Sequence, residues 1–330
     1  KQQPEIVRFG NKIGQSKLIY KSLLNLKSKN ANSLNEIQSR IIESELISMN
    51  HRGVGLDGVA KETFNKNSEK LAELSNIFSN HVLDATKEWS LLLTKQSEVE
   101  GLPPRVMETL ASSAKESGDK NHKTNEPPTK DEGPWRLGLD MPRYIPFITY
   151  SKNRHLREVI YKAYVSRASN SQLDNQKIIK EILSIRNQQA KLLGYKNWAE
   201  VSLASKMAQN IEEVESLLEE LRAAAMPIAK KELQELKECA RRNNAVEFKE
   251  LAPWDISFWS EKLRQEKFDL NQELLRPWFP LSQVLEGLFE LCGRLFDIKI
   301  IQINNDRIPI WHRDVSFFHV LDKDDTLLAG

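Results

Sequence analysis

The sequence predicts a mainly helical protein with a small β-hairpin near the C-terminus. Two observations indicate this fold class. After Leu281, apolar residues recur at the spacing of a helix that faces a core: Val284, Leu285, Leu288, Cys292, Leu295 and Phe296. The pattern then changes, because residues 298–303 are rich in β-branched side chains and residues 315–321 alternate with period two. A polar turn at 322–325 and a returning strand from 326 to 330 complete the predicted hairpin.

Helical periodicity predicts most of the elements before this hairpin. The expected helices include residues 4–28, 59–94, 153–169 and 174–193. Another helix should begin after Asn210, a favourable N-cap that is followed by Glu212 and Glu213 in the first turn. Its apolar face comprises Val214, Leu217, Leu218, Leu221 and Ala225. We expect Pro227 to kink or break this helix, since proline has no N–H for the helical ladder.

The chain divides into two predicted parts. Residues 1–135 form a helical N-terminal lobe, and residues 136–330 form a helical middle region that ends in the hairpin. Residues 118–133 contain none of the side chains that build hydrophobic cores, which predicts a disordered surface loop. Residues 135–139 follow this loop and are predicted to form a short isolated strand or an extended segment.

Composition limits the classes of function. The 330 residues can bury a large core, and 40% apolar with 28% charged residues is typical of soluble proteins. A net charge of +2 argues against nucleic-acid binding through bulk charge. No apolar run reaches the ~20 residues of a membrane span. Cys239 and Cys292 lack a CxxC arrangement, so we expect reduced cysteines in an intracellular protein.

Most catalytic motifs are absent from these residues. Gly53-Val-Gly55-Leu-Asp-Gly58 has the spacing of a dinucleotide fingerprint, but it follows a helix where that fingerprint needs a strand. Neither a GxSxG elbow nor a GxxxxGK(S/T) loop occurs. Asp255 and Glu261 could form an acid pair, yet a chain with 46 carboxylates offers many such pairs. The aromatic block 254–259 could line a peptide-binding wall, although such blocks more often belong to a core.

The histidines do not form a recognisable zinc site. They are His51, His81, His122, His155, His312 and His319. No two are four residues apart, so a helical pair of zinc ligands is excluded. His312 and His319 would face opposite sides if both lay on one strand. We therefore assign no catalytic, cofactor-binding or metal-binding residue within 1–330.

Several ordered segments carry a resemblance to a known family. These segments are WDISFWSE (254–261), LLRPWF (274–279) and VLEGLFELCGRLFDI (284–298), with further blocks at 78–89, 140–150, 153–169, 181–207 and 310–320. Together they resemble the oligopeptidase A branch of the thimet oligopeptidase-like zinc metallopeptidases. The motif wording, including Leu102-Pro-Pro104 and the long polar insert, resembles that of plant-type members. The likeness covers nearly the whole chain.

This resemblance implies a large helical scaffold of the neurolysin and thimet oligopeptidase type. It implies a metalloendopeptidase that hydrolyses internal bonds of short peptides in a deep channel. Its zinc would be held by the two histidines of an HExxH motif and a distant glutamate, and the motif glutamate would be the general base. In the family this motif lies downstream of the segments found in this chain. We therefore expect residues 1–330 alone to be inactive and to bind no zinc.

Further expectations follow from the resemblance. We expect the substrates to be short peptides and the protein to be a monomer. We expect neither a nucleic-acid nor a membrane partner. The compartment is the cytosol, or the chloroplast or mitochondrion if a presequence has been removed. The alternative is a non-catalytic helical module that binds peptides or other proteins. A transcript that continues in frame beyond Gly330 into HExxH would favour the peptidase.

Overall fold

The computed structural model describes residues 3–29, 33–270, 272–303 and 308–330. Helices dominate these residues, and the strands form two small antiparallel sheets, which confirms the predicted fold class. The chain separates into two compact units, Lys1–Leu263 and Arg264–Gly330, which are described in turn. None of the helices in the described ranges is both long and apolar enough to cross a membrane.

The first unit contains the long helices and the two-stranded sheet. Its elements are α1 (Gln3–Gly14), α2 (Lys17–Lys29), α3 (Glu36–His51), α4 (Gly58–Glu88), β1 (Ser90–Leu93), α5 (Pro104–Glu116), β2 (Trp135–Gly138), α6 (Met141–Tyr150), α7 (Arg154–Val165), α8 (Gln176–Leu192), α9 (Trp198–Leu203), α10 (Ile211–Arg242) and α11 (Pro253–Phe268). The last helix extends five residues past the boundary between the units.

The main core of this unit surrounds the small sheet. β1 pairs with β2 in antiparallel register, from Ser90 opposite Gly138 to Leu93 opposite Trp135. Helices α5, α6 and α7 contribute most of the other buried side chains of this core, and the connecting segments add Val99, Leu102 and Leu139. The predicted helix 59–94 therefore ends earlier, at Glu88, and the predicted strand at 135–139 is paired where we expected it to be isolated. Leu93 is buried as the last residue of β1, and this burial outweighs the helical propensity of leucine.

The predicted helix 4–28 is divided into α1 and α2. Gly14 lies so close to Arg52 that a Cβ there would be 2.2 Å from the Arg52 Cδ. The next residue, Gln15, is buried, and its amide donates to the Arg52 carbonyl at 2.8 Å and to the Asn65 side chain at 2.7 Å. These tertiary contacts end α1, and helical periodicity alone does not reveal them.

Helix α10 is continuous through Pro227, so a break at this residue does not occur, and a kink there stays a prediction. The N-cap prediction was correct, because the Asn210 side chain accepts a hydrogen bond from the Glu213 N–H at 2.8 Å. The helix is exposed around Pro227, so water can reach the carbonyl of Ala223 that the proline leaves without an intrahelical donor. The predicted apolar face, including Leu217 and Leu221, is exposed and not packed on a core.

The polar segment 118–133 forms turns and an isolated bridge between Thr129 and Gly133. Asn121 organises these turns, since its side chain donates to the Glu132 carbonyl at 3.1 Å and accepts from the Lys123 N–H at 2.9 Å. The disorder of this loop in solution stays a prediction.

The second unit is built from one long helix and a three-stranded sheet. Its elements are α12 (Gln272–Leu275), α13 (Leu281–Phe296), β3 (Lys299–Ile303), β4 (Phe317–Leu321) and β5 (Leu327–Ala329). The strands pair antiparallel in the order β3-β4-β5, which confirms the predicted hairpin. Phe289 of α13 packs on Phe318 of β4 with ring centroids 5.1 Å apart. No residue of α13 is fully buried among the described residues, although Leu285 and Cys292 of its predicted apolar face are half-buried.

Gly101, ahead of α5, gives a test of the packing around the first core. Its φ is +90°, and a Cβ there would lie 2.5 Å from the Tyr150 carbonyl oxygen. Because both the backbone conformation and the backbone contact exclude a side chain, Gly101→Ala should lower the free energy of unfolding by about 1–3 kcal/mol. Urea denaturation measures this change.

Gly10→Ala is the matched control. Gly10 is within α1, and a Cβ there meets nothing within 4 Å. Alanine should therefore raise the free energy of unfolding by roughly 0.5–1 kcal/mol. Equal effects of the two substitutions would contradict the described environment of Gly101.

Candidate functional site

The six histidines are dispersed over the fold. His51 in α3 bonds to the Tyr195 hydroxyl at 3.0 Å, and burial lowers the pKa of its imidazole. His81 in α4 bonds to the Asn175 side chain at 2.9 Å. His122 and His155 are exposed.

The last two histidines lie near each other in sequence but in different local structure. His312 precedes β4 and accepts a hydrogen bond from the Asp314 N–H, whereas His319 lies within β4. The two therefore do not share a strand. Within the described ranges, no group of three or more His, Cys, Asp or Glu side chains is arranged to hold a metal ion.

The most highly organised set of charged side chains lies between α7 and α11, and we call it the Arg154–Arg157–Asp255 cluster. Asn153 caps α7 by accepting from the Leu156 N–H at 3.1 Å. The two arginines are three residues apart, so they lie on one face of α7. Asp255 is in the first turn of α11, where the helix dipole favours a carboxylate.

Both carboxylate oxygens of Asp255 are bonded to the arginines. Arg154 donates from Nη2 to Oδ2 at 2.8 Å, and Arg157 donates from Nη2 to Oδ1 at 2.9 Å. The Ala252 N–H adds a third donor to Oδ2, at 3.0 Å. The side chain of Asp255 has no exposed surface, and that of Arg157 is 1% exposed. This is a sealed ion pair and not an open ligand site.

Arg157 makes contacts on every side of its guanidinium. It donates to the Ser151 carbonyl at 2.9 Å and to the Trp254 carbonyl at 3.2 Å. Its Cζ lies 4.2 Å from the ring centroid of Phe258, within the range of a cation–π interaction. Glu247 lies 3.9 Å away and adds a second negative charge. Arg157 thus joins α7 to the end of α6 and to α11.

The electrostatics of the cluster follow from burial and pairing. Burial lowers the pKa of Arg157, although Asp255 opposes this effect. Burial by itself would raise the pKa of Asp255, but the hydrogen bonds from Arg154 and Arg157 outweigh it and hold that pKa below its usual range. The hydrogen bond to Asp255 raises the pKa of the more exposed Arg154. The ionised pair is the stable state near neutral pH.

The cluster positions helices, since it offers no free carboxylate oxygen to a substrate or metal. Sequence reasoning missed it, because Asp255 looked like one carboxylate among many. Two arginines one turn apart on an amphipathic helix were the available signal, but their partner is about a hundred residues away. Phe258 and Trp259 of the aromatic block are buried, in agreement with the core interpretation of that block.

A cavity of about 390 Å³ lies where α4, α7 and β2 end. It is lined by Ala85, Glu88, Trp89, Leu139, Ala163, Ser166, Arg167, Ala168, Asn170 and Leu173. Arg167 is held there by the Tyr164 carbonyl at 2.8 Å and the Thr86 hydroxyl at 3.1 Å, and it stacks on the Tyr164 ring. This arginine already has partners, so the cavity does not define a reaction.

Comparison with known proteins gives the family. The profile described as Peptidase family M3 matches residues 147–330, which include both helices of the Arg154–Arg157–Asp255 cluster. The chain belongs to peptidase family M3. A second profile, Neurolysin/Thimet oligopeptidase, N-terminal domain, matches residues 1–61. These matches confirm the family resemblance inferred from the sequence blocks.

Several relatives of this M3 chain are named oligopeptidase A. A probable cytosolic oligopeptidase A of Arabidopsis thaliana is 43% identical over 97% of this chain and 45% of its own length. An organellar oligopeptidase A, chloroplastic/mitochondrial, of the same plant is 42% identical over 99% of this chain and 40% of its own. Oligopeptidase A of Escherichia coli (strain K12) is 34% identical over 98% of this chain and 46% of its own length. The chain therefore spans less than half the length of these relatives.

Replacement of Asp255 tests the cluster. Asp255→Asn removes the only carboxylate that is hydrogen-bonded to the buried Arg157 in the described structure, so we expect the free energy of unfolding at neutral pH to fall by about 3–5 kcal/mol. The folded-state pKa of Asp255 is depressed, so its contribution is fully present above the unfolded pKa of about 3.9 and is lost as pH falls through the lower, folded value. The difference in the free energy of unfolding between wild type and variant should therefore narrow below about pH 4.

Urea denaturation across this pH range measures this difference. Asp57→Asn is the control, because Asp57 forms an exposed ion pair with Lys17. It should change stability much less than Asp255→Asn at neutral pH. A difference for Asp255→Asn that is small at neutral pH, or that widens in acid, would contradict the pairing described for the cluster.

Proposed function

We propose that this M3 chain is the scaffold part of a zinc-dependent oligopeptidase that hydrolyses internal bonds of short peptides. We further propose that residues 1–330 alone neither bind zinc tightly nor cleave peptides. The observation that carries this proposal is the match to peptidase family M3 in a chain whose 330 residues contain no HExxH.

The placement of the histidines within the described ranges supports this proposal. Zinc hydrolases need neutral imidazoles that converge with a carboxylate and leave one position open. In this chain His51 of α3 is bonded to Tyr195, and His81 of α4 is bonded to Asn175. His312 precedes β4, whereas His319 lies within it. We therefore place the zinc ligands of the complete peptidase outside residues 1–330, and we assign these residues the role of support.

Substrate, partners and compartment follow the relatives in this proposal. Short peptides are the substrate class implied by the name oligopeptidase. The nearly balanced charge supports the absence of a nucleic-acid partner, and we propose a monomer. The named plant relatives are cytosolic or chloroplastic/mitochondrial, and we propose one of these compartments for this protein.

A peptidase assay tests the proposal. Purified residues 1–330 and the full-length cytosolic relative from Arabidopsis thaliana are each given an internally quenched fluorescent peptide with added zinc. The relative should cleave it, and residues 1–330 should not exceed the uncatalysed background. Isothermal titration with zinc should show no tight site in residues 1–330.

Two outcomes count against the proposal. Turnover by residues 1–330 that matches the relative and is abolished by a chelator would show that the chain holds its own catalytic centre. Tight peptide binding by residues 1–330 without cleavage, with no peptidase activity in the full-length relative, would favour the non-catalytic binding module.

A further inference from the structure

The second unit, Arg264–Gly330, lacks a closed core of its own. Among its described residues no side chain is buried, whereas the first unit buries side chains such as Leu110, Phe147 and Ile160 completely. Exposed large apolar residues of this unit include Trp278, Phe279 and Trp311. Single exposed apolar residues are ordinary, but a unit without any buried one has apolar surface that needs a partner.

Helix α13 carries two adjacent apolar faces. One consists of Leu285, Phe289 and Cys292, which are half-buried, and Phe289 packs against Phe318 of the sheet. This face therefore faces the unit's own sheet.

The other face follows a heptad spacing. It consists of Leu281, Val284, Leu288, Leu291 and Leu295, separated by three, four, three and four residues. We call this set the α13 seam. Its side chains are 45–74% exposed. A stripe with alternating spacings of three and four is the pattern that packs against another helix by knobs into holes.

The flank of the α13 seam is compatible with a close helix. Gly287 precedes Leu288, and a Cβ at this position would meet nothing within 4 Å. A small residue beside a helix interface lets the two backbones approach to the 8–10 Å that packed helices adopt. The charged pair Glu290–Arg294 lies outside the seam positions and is exposed. The seam is thus apolar in its centre and polar beyond its edge.

We propose that the α13 seam packs against an amphipathic helix from the part of an M3 peptidase polypeptide that has no counterpart in residues 1–330. The extent of the matches supports such an occupant, because the oligopeptidase A relatives are covered over only 45%, 40% and 46% of their lengths. More than half of each relative is therefore available to supply the helix. The inference rests on the proposed function, since it assumes that a longer peptidase is the working molecule.

The length of the seam favours a helix of the same polypeptide over a second copy. Helix α13 has 16 residues, just over two heptads. An independent coiled coil is expected to need about three to four heptads. A helix on the same chain is present at a high effective concentration, so a short seam is sufficient to bind it.

Cysteine accessibility in a fusion tests the inference. Residues 1–330 are joined, as one polypeptide, to the part of the Arabidopsis thaliana cytosolic relative that does not align with this chain, which we call the uncovered part. Leu288→Cys is then labelled with a maleimide in the fusion and in residues 1–330 alone, and the reaction of the parent cysteines is subtracted. We expect labelling in the fusion to be slower by at least about tenfold. Gln283→Cys, on the same helix but outside the seam, should react equally in both.

The outcomes separate this inference from the proposed function, because labelling does not require peptide hydrolysis. Equal labelling of Leu288→Cys in both proteins would overturn the inference even if the fusion is an active peptidase. Protection of Leu288→Cys in residues 1–330 alone, lost on dilution, would overturn it in favour of a second copy.

Co-expression of the two parts as separate chains gives a second measurement that does not depend on the fusion. Capture of the uncovered part by residues 1–330 should persist with Gln283→Lys and be lost with Leu288→Lys. Capture that Leu288→Lys leaves unchanged, or no capture with the unsubstituted seam, would contradict the inference.

Discussion

The buried charge of Arg157 is the constraint on which the matched M3 segment depends. A guanidinium that is 1% exposed is stable only if its donors and its charge are matched. Asp255 supplies the charge and accepts from Nη2, and the carbonyls of Ser151 and Trp254 accept from Nη1 and Nε. These partners belong to the end of α6 and the start of α11, so one side chain determines where three helices meet.

The helices of the chain present two kinds of apolar surface, one buried in a core and one exposed. Around the cluster, α5, α6 and α7 close on β1 and β2 and form a core. Farther along the chain, α10 and α13 present apolar stripes that the described residues leave exposed. We infer that the first kind of surface forms the support of the peptidase and that the second kind receives other parts of it.

Local signals in the sequence predict much of the fold and little of the cluster. The N-cap at Asn210 and the hairpin near the C-terminus depend on neighbouring residues, so periodicity and capping chemistry find them. The end of α1 at Gln15, the early end of α4 and the pairing of Asp255 depend on contacts between distant residues. Pro227 does not break α10, because exposure to water lowers the cost of a free carbonyl, and exposure is a property of the fold.

A double-mutant cycle on Arg157 and Asp255 tests most directly whether the buried charge governs the meeting of these helices. Arg157→Met and Asp255→Leu are measured singly and together by urea denaturation. Asp255→Leu leaves the buried Arg157 without its hydrogen-bonded carboxylate, whereas Arg157→Met leaves Asp255 with Arg154 as its remaining cation. The double variant removes both buried charges, and the partly exposed Arg154 can be hydrated. We expect the double variant to be more stable than Asp255→Leu alone, with a coupling free energy of at least about 1 kcal/mol between the two positions. Additive losses would contradict this dependence on the buried pair.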